Sequence, residues 1–182
     1  MTGYKIRLQL YSSVESWREL HIPKGINFGQ LHRIIQKVFG FDDYHNYEFQ
    51  IPHVLPDKDC VDLSNIERTI DYRDCENVDI AEIFDEYPIA LYVYDFGDGW
   101  EMVVQKLDSI DYNNKTALIT DYGGKYNPLD DMGGLDIFEE IVEAIENGEE
   151  DYILKDYGFS KSDISKMDFE KKYKIGSRIR IS

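Results

Sequence analysis

The sequence predicts an α+β domain built around a largely antiparallel sheet, and three observations carry that expectation. Short segments of strict apolar alternation recur from Tyr4 onward, the pattern of strands with one face buried. Two segments, after Asn27 and after Gly134, instead repeat apolar residues at helical spacing between recognisable caps. Between them, Asp95-Phe96-Gly97-Asp98-Gly99 separates two alternating runs, a hairpin loop with glycines where positive φ is needed. At 182 residues, 42% apolar and 14% aromatic, the chain has enough apolar material to bury one core as a single domain, 1–182.

The elements follow in order. Tyr4 to Leu10 alternates with Ile6, Leu8 and Leu10 on one face; a turn at Ser12-Ser13 leads to a second strand, about Ser16 to Ile22, closed by Pro23-Lys24-Gly25. Asn27 is a good N-cap, Gln30 completes a capping box, and Ile26 can staple to Leu31. Leu31, Ile34, Ile35, Val38 and Phe39 form the helix stripe, ended by Gly40. A strand from Tyr47 to Ile51 stops at Pro52. This hairpin–helix–strand start is β-grasp-like, and we expect it to extend into a mixed, mainly antiparallel sheet with two main helices packed on it. Residues 52–77 read as an irregular excursion with one short edge strand at Val61–Leu63, followed by a short helix, Val78 to Phe84, behind an Asn77 cap. Strands are expected at Ile89–Tyr94, Trp100–Leu107 and Thr116–Thr120. The second long helix should be capped by Asp136 with Glu139 as box partner, bury Ile137, Phe138, Ile141, Ala144 and Ile145, and end at Asn147-Gly148.

Charge narrows the function classes. A net charge of −16 repels phosphate backbones, so direct nucleic-acid binding is disfavoured and a protein partner is the expected kind. The distribution is uneven: residues 161–182 hold seven Lys/Arg against three acids, and the rest of the chain carries −20. This basic tail is expected to lie across its own acidic body. Glu139 to Asp151 holds seven acids and no base, a solvated face that would also serve an acidic mimic of DNA. No run approaches the roughly 18 apolar residues of a membrane helix. The start of the chain enters strand pattern directly, without a signal peptide, so a cytoplasmic protein is expected. Cys60 and Cys75 match no metal knuckle or redox motif, and adding His53 gives no zinc spacing.

Candidate functional residues cluster in turns. Asp95, Asp98, Asp130 and Asp131 lie in glycine-flanked loops, and their hard oxygens would suit Mg²⁺, Mn²⁺ or Ca²⁺. Aspartates in such turns also bond their own backbone, which is the stronger of the two readings. His32 and His45 can share a corner near Trp100, as metal ligands, proton shuttles or hydrogen-bonding fillers. Trp17 and Arg18, with Tyr92, Tyr94, Trp100, Tyr122 and Tyr126, form either a recognition surface or sheet packing. There is no serine elbow, phosphate-cradling glycine loop or convincing Cys/His pair, so no catalytic residue is assigned and the balance leans away from an enzyme.

Several of these residues together resemble a known family: Trp17-Arg18, Leu31-His32, Phe39-Gly40-Phe41-Asp42-Asp43 with His45 and Phe49, Tyr94 to Glu101, and Pro128 to Gly134. Over about residues 4–146 the chain is similar to the plasmid pRiA4b ORF-3-like family, also labelled insertion-element passenger (TnpR-like) proteins. The resemblance implies a compact α+β domain, often encoded near mobile elements, with no activity to carry over. Relatives commonly have His two residues after the Trp, where this chain has Met102, and a Cys-Pro-Pro-Glu-Asp block where it has Tyr126 to Asp131. The resulting expectation is a non-enzymatic binding or adaptor module whose ligand surface is the Asp95–Trp100 hairpin facing the Asp130–Gly134 loop. No cofactor is expected beyond a divalent cation. The alternative is a metal-dependent hydrolase or nuclease using the four aspartates.

Overall fold

The computed structural model describes residues 1–54 and 61–181. Eight strands form one sheet: β1 (Gly3–Leu10), β2 (Trp17–Pro23), β3 (Tyr47–Val54), β4 (Val61–Asp71), β5 (Ile89–Tyr94), β6 (Trp100–Ile110), β7 (Thr116–Gly123) and β8 (Arg178–Arg180). Their spatial order is β4-β3-β5-β6-β1-β2-β7-β8. The α+β expectation holds, and the opening hairpin, helix and strand occur in the expected order. Among the described residues every pairing between strands is antiparallel, where the sequence predicts a mixed, mainly antiparallel sheet. The β5–β6 hairpin explains this, because β6 occupies the free edge of β1 and keeps β3 two strands away.

Helix α1 (Phe28–Phe39) begins as read: the Asn27 side chain accepts from Gln30 N, Gln30 caps back, and Gly40 closes the helix at φ 81°. Its stripe is wholly buried with the inward residues of the sheet. Two inward rows matter for the site. Tyr47, Tyr94 and Trp100 align across β3, β5 and β6, and Phe49, Tyr92, Met102 and Leu10 align one step further in. Full burial of aromatics such as Phe49, Tyr92, Tyr94 and Trp100 contributes about 2–3 kcal/mol each, so the site rests on a well-packed end of the sheet.

Several boundaries differ from expectation for local reasons. Pro52 does not stop β3: register shifts on both sides of it form a bulge where its missing N–H is not needed, and β4 is a long edge strand. The short helix α2 (Ile80–Phe84) is capped by Asp79 with Glu82, while Asn77 belongs to a 3-10 turn, Cys75–Asn77. Helix α3 (Leu135–Asn147) starts directly after Gly134, so Asp136 lies inside its first turn. Glu139 is therefore no capping-box partner; it accepts from Ser12 Oγ and Ser13 N, both at 2.7 Å. The basic segment is folded into the domain rather than draped over it. After α4 (Glu150–Tyr157) it forms α5 (Lys161–Met167), α6 (Phe169–Lys172) and β8, with Met167, Phe169 and Ile179 buried. Among the described residues, no helix is long and apolar enough to cross a membrane.

Candidate functional site

Three loops converge at the end of the sheet carrying the Tyr47–Tyr94–Trp100 row. In the β5–β6 loop, Asp95 (φ 54°) and Gly99 (φ 70°) both take left-handed backbone, and Gly99 N bonds Asp95 O at 2.6 Å. Asp95 N donates to Asn46 O at 3.0 Å, tying this loop to the segment between α1 and β3. On the other side Gly133 N donates to Asp98 Oδ2 at 3.1 Å. A Cβ on Gly134, itself at φ 89°, would stand 2.9 Å from Asp98 O, so only glycine lets the two loops approach backbone to backbone.

At their junction, His45 Nε2 lies 3.1 Å from Asp131 Oδ1 and 3.5 Å from Asp95 Oδ2. One donor atom from each of the three residues falls within 4.8 Å of the others. Asp95 is 6% exposed while Asp131 is open to solvent. His45 Nε2 is shielded from water yet makes no well-directed hydrogen bond. Ligand distances of about 2.1 Å around a divalent ion put neighbouring donors about 3.0–3.5 Å apart, which is the spacing of His45 to both carboxylates. Imidazole with two carboxylates suits Mn²⁺, Fe²⁺ or Zn²⁺ better than the all-oxygen preference of Mg²⁺ or Ca²⁺. Among the described residues, the non-glycine residues with positive φ are Asp43, Asp95 and Asp131, all aspartates beside a histidine. Such backbone is retained where the surroundings over-determine it, and it concentrates at functional sites.

The other aspartates named from the sequence are occupied differently. Asp98 is the clasp to Gly133 described above. Asp130 Oδ2 accepts the Asp42 N–H, and its carboxyl also hydrogen-bonds the Tyr94 hydroxyl. Its Oδ1 is buried without a partner, and burial raises its pKa against the pull of those two hydrogen bonds.

His32 does not join His45. Gln36 Nε2 donates to the Tyr92 hydroxyl at 2.9 Å, and the hydroxyl proton has His32 Nδ1, at 2.8 Å, as its acceptor. The network thus assigns the proton of His32 to Nε2, which donates to Asp43 Oδ1 at 2.7 Å. Gln36 Oε1 accepts Asp43 N at 3.0 Å, and Tyr47 stacks on the imidazole at 3.5 Å. Burial lowers the His32 pKa, with Asp43 opposing.

The Trp17–Arg18–Trp100 recognition surface is corrected by burial. Trp100 is fully enclosed against Phe41 and Phe138. Arg18 is fully buried under Phe169, at 4.1 Å, and donates to Trp17 O, Gly123 O and Asn127 Oδ1. Burial pulls its pKa down to about 9, with Tyr122 and Glu15 opposing. Trp17 lies on the outer sheet face under the Arg7 guanidinium, its Nε1 donating to Glu15. The exposed aromatics at the corner are instead Tyr44 and Phe96, 79% and 56% exposed, each adjacent in sequence to a cluster residue. Met102 is buried in the inner row, so its replacement of the family's His alters core and not corner. Cys75 is buried with its thiol pKa raised to about 12, His53 pairs with Glu67, and Cys60 lies outside the described residues.

The fold defines a class: an antiparallel sheet with helices on it, whose turns and not its core carry the polar cluster. The chain belongs to the plasmid pRiA4b ORF-3-like protein family, whose model matches residues 2–171. It is 27% identical over 132 residues to the uncharacterized protein y4hQ of Sinorhizobium fredii, covering 70% of this chain and 64% of that relative's length. Its fold is similar to the crystal structure of MM3350, a protein of unknown function from Methanosarcina mazei Go1, with TM-score 0.65, 24% identity, and coverage of 84% and 87% of the two chains.

Proposed function

We propose that the protein is a ligand-binding module organised around one divalent transition-metal ion, held by His45, Asp95 and Asp131. The observation that carries this reading is the convergence of two carboxylate oxygens on His45 Nε2, a shielded nitrogen with no hydrogen bond of its own. Three protein ligands leave further coordination positions for a bound molecule. The glycine-supported approach of the two loops, closed by Asp98 and Gly133, holds the carboxylates in place: Asp95 Oδ1 accepts Gly97 N at 3.0 Å, and its Oδ2 is the oxygen that faces His45. The test is calorimetric titration of the apo protein with Mn²⁺ and Zn²⁺. His45→Ala and Asp131→Asn should each weaken binding at least tenfold. Wild-type protein that takes up neither ion would end this reading.

A second reading, metal-assisted hydrolysis, is favoured by Asp130. Its carboxyl pKa is raised by burial, and it stands one residue from a cluster with open coordination positions, where a proton acceptor for metal-bound water is useful. Metal-dependent turnover of phosphodiester, ester or amide probes, lost in Asp130→Asn with metal affinity retained, would favour the enzyme over the binding module.

A further inference from the structure

The basic segment acquires a place in the fold that the metal cluster does not use. A groove of about 670 Å³ runs between α5–α6 and the loop that follows α1. Lys166, Lys171 and Lys172 line one wall together with Asp163 and Asp168, and Asp42 and Asp130 line the other. Asp130 immediately precedes Asp131, so the groove opens one residue from the metal corner.

The lysines are unusual for a chain of net charge −16. Lys166 pairs with Asp163 at 3.0 Å. Lys171 donates to a neutral acceptor, Ser165 Oγ, at 2.9 Å, and Lys172 lies 5.4 Å over the Tyr173 ring. Among the described residues, neither Lys171 nor Lys172 has a carboxylate within 4.0 Å. The acids nearby are engaged elsewhere: Asp163 caps α5 and holds Lys166, while Asp168 caps α6 and faces Lys125 at 3.3 Å. On the opposite wall the Asp130 carboxyl is held by Asp42 N and the Tyr94 hydroxyl. One wall therefore offers two adjacent uncompensated cations.

From this we infer that the groove binds a small phosphate monoester, its phosphate on Lys171 and Lys172. This inference rests on the metal-centred reading in one respect: a cation at His45, Asp95 and Asp131 offsets the carboxylates of the far wall, so metal strengthens the binding. Lysine binds phosphate as a point charge, and two adjacent lysines match a dianion. The volume is that of a small-molecule site. The acidic remainder of the surface opposes a polynucleotide.

The experiment is calorimetric titration of the full chain with glycerol 3-phosphate, with and without saturating Mn²⁺. We expect binding that strengthens severalfold with Mn²⁺ and weakens at least tenfold in the Lys171→Gln/Lys172→Gln double variant, with Mn²⁺ affinity unchanged. Retention of binding in Lys171→Arg/Lys172→Arg would support a charge role over a structural one. Absence of glycerol 3-phosphate binding to protein that still takes up Mn²⁺ overturns the groove assignment and leaves the metal reading standing. Binding without any Mn²⁺ uptake supports the groove and overturns the metal reading. Equal affinity for glycerol 3-phosphate and inorganic phosphate overturns the monoester as the ligand. Tighter binding of a short single-stranded oligonucleotide overturns the small-molecule class.

Discussion

His32 and His45 stand thirteen positions apart, each beside an aspartate with left-handed backbone, yet their surroundings are opposite. Around His32 every polar group has a partner: Tyr92, Gln36 and Asp43 close a ring of hydrogen bonds, and Tyr47 covers the imidazole face. Around His45 the nitrogen faces two carboxylates, makes no hydrogen bond, and lies at a rim with exposed Tyr44 and Phe96. The closed arrangement can only hold the fold, because any ligand would have to break it. The open one is the place where an added ion completes the bonding.

The sharpest way to break this comparison is His32→Ala. It leaves the Tyr92 hydroxyl and the Asp43 carboxylate without their shared partner and opens space under Tyr47, so it should lower stability by about 3 kcal/mol in urea unfolding. His45→Ala should stay within about 0.5 kcal/mol of wild type without metal, as expected for a change outside a satisfied network. Similar losses in both would erase the distinction.

Acidification gives a second and smaller contrast. Burial lowers the folded pKa of His32 below its unfolded value, so below about pH 6.5 the unfolded chain takes up the larger number of protons. The contribution is therefore fully present above that pH and is lost as pH falls, with a slope of at most about 1.4 kcal/mol per pH unit. In His32→Gln the part of the slope between pH 6.5 and 5 should flatten, which pH-dependent denaturation curves would reveal.

Much of this was legible in the sequence, and the failures share a cause. The α1 caps and the β5–β6 hairpin are local, since alternation, capping chemistry and turn glycines act over a few residues. Partner choice is not local. That His32 belongs with Tyr92 while His45 belongs with Asp95 and Asp131 depends on which strands align, and nothing near either histidine encodes it. Arg18 misled because a charged residue in an alternating strand ordinarily faces water; here Gly123 O, Asn127 Oδ1 and Phe169 from distant segments enclose it. The exposed Phe96 beside Asp95 was a readable signal, because a phenylalanine at a hairpin tip has no core to enter.

The finest test uses one substitution at two sites. Left-handed backbone costs a non-glycine residue about 1–2 kcal/mol, less for aspartate, while glycine loses about 0.5–1 kcal/mol more on folding through its freer unfolded chain. At Asp131, whose side chain is exposed and pairs with His45, these nearly cancel. Asp131→Gly in metal-free protein should fall between neutral and about 0.5 kcal/mol more stable, with metal affinity lost. At Asp43 the backbone gain is similar, but the bond to His32 is lost as well, so Asp43→Gly should be destabilising by about 1 kcal/mol or more. Opposite signs in paired urea curves would show that the carboxylate at 43 serves the fold, whereas the one at 131 is kept in strained backbone for a ligand. Equal destabilisation at both would return Asp131 to an ordinary turn residue.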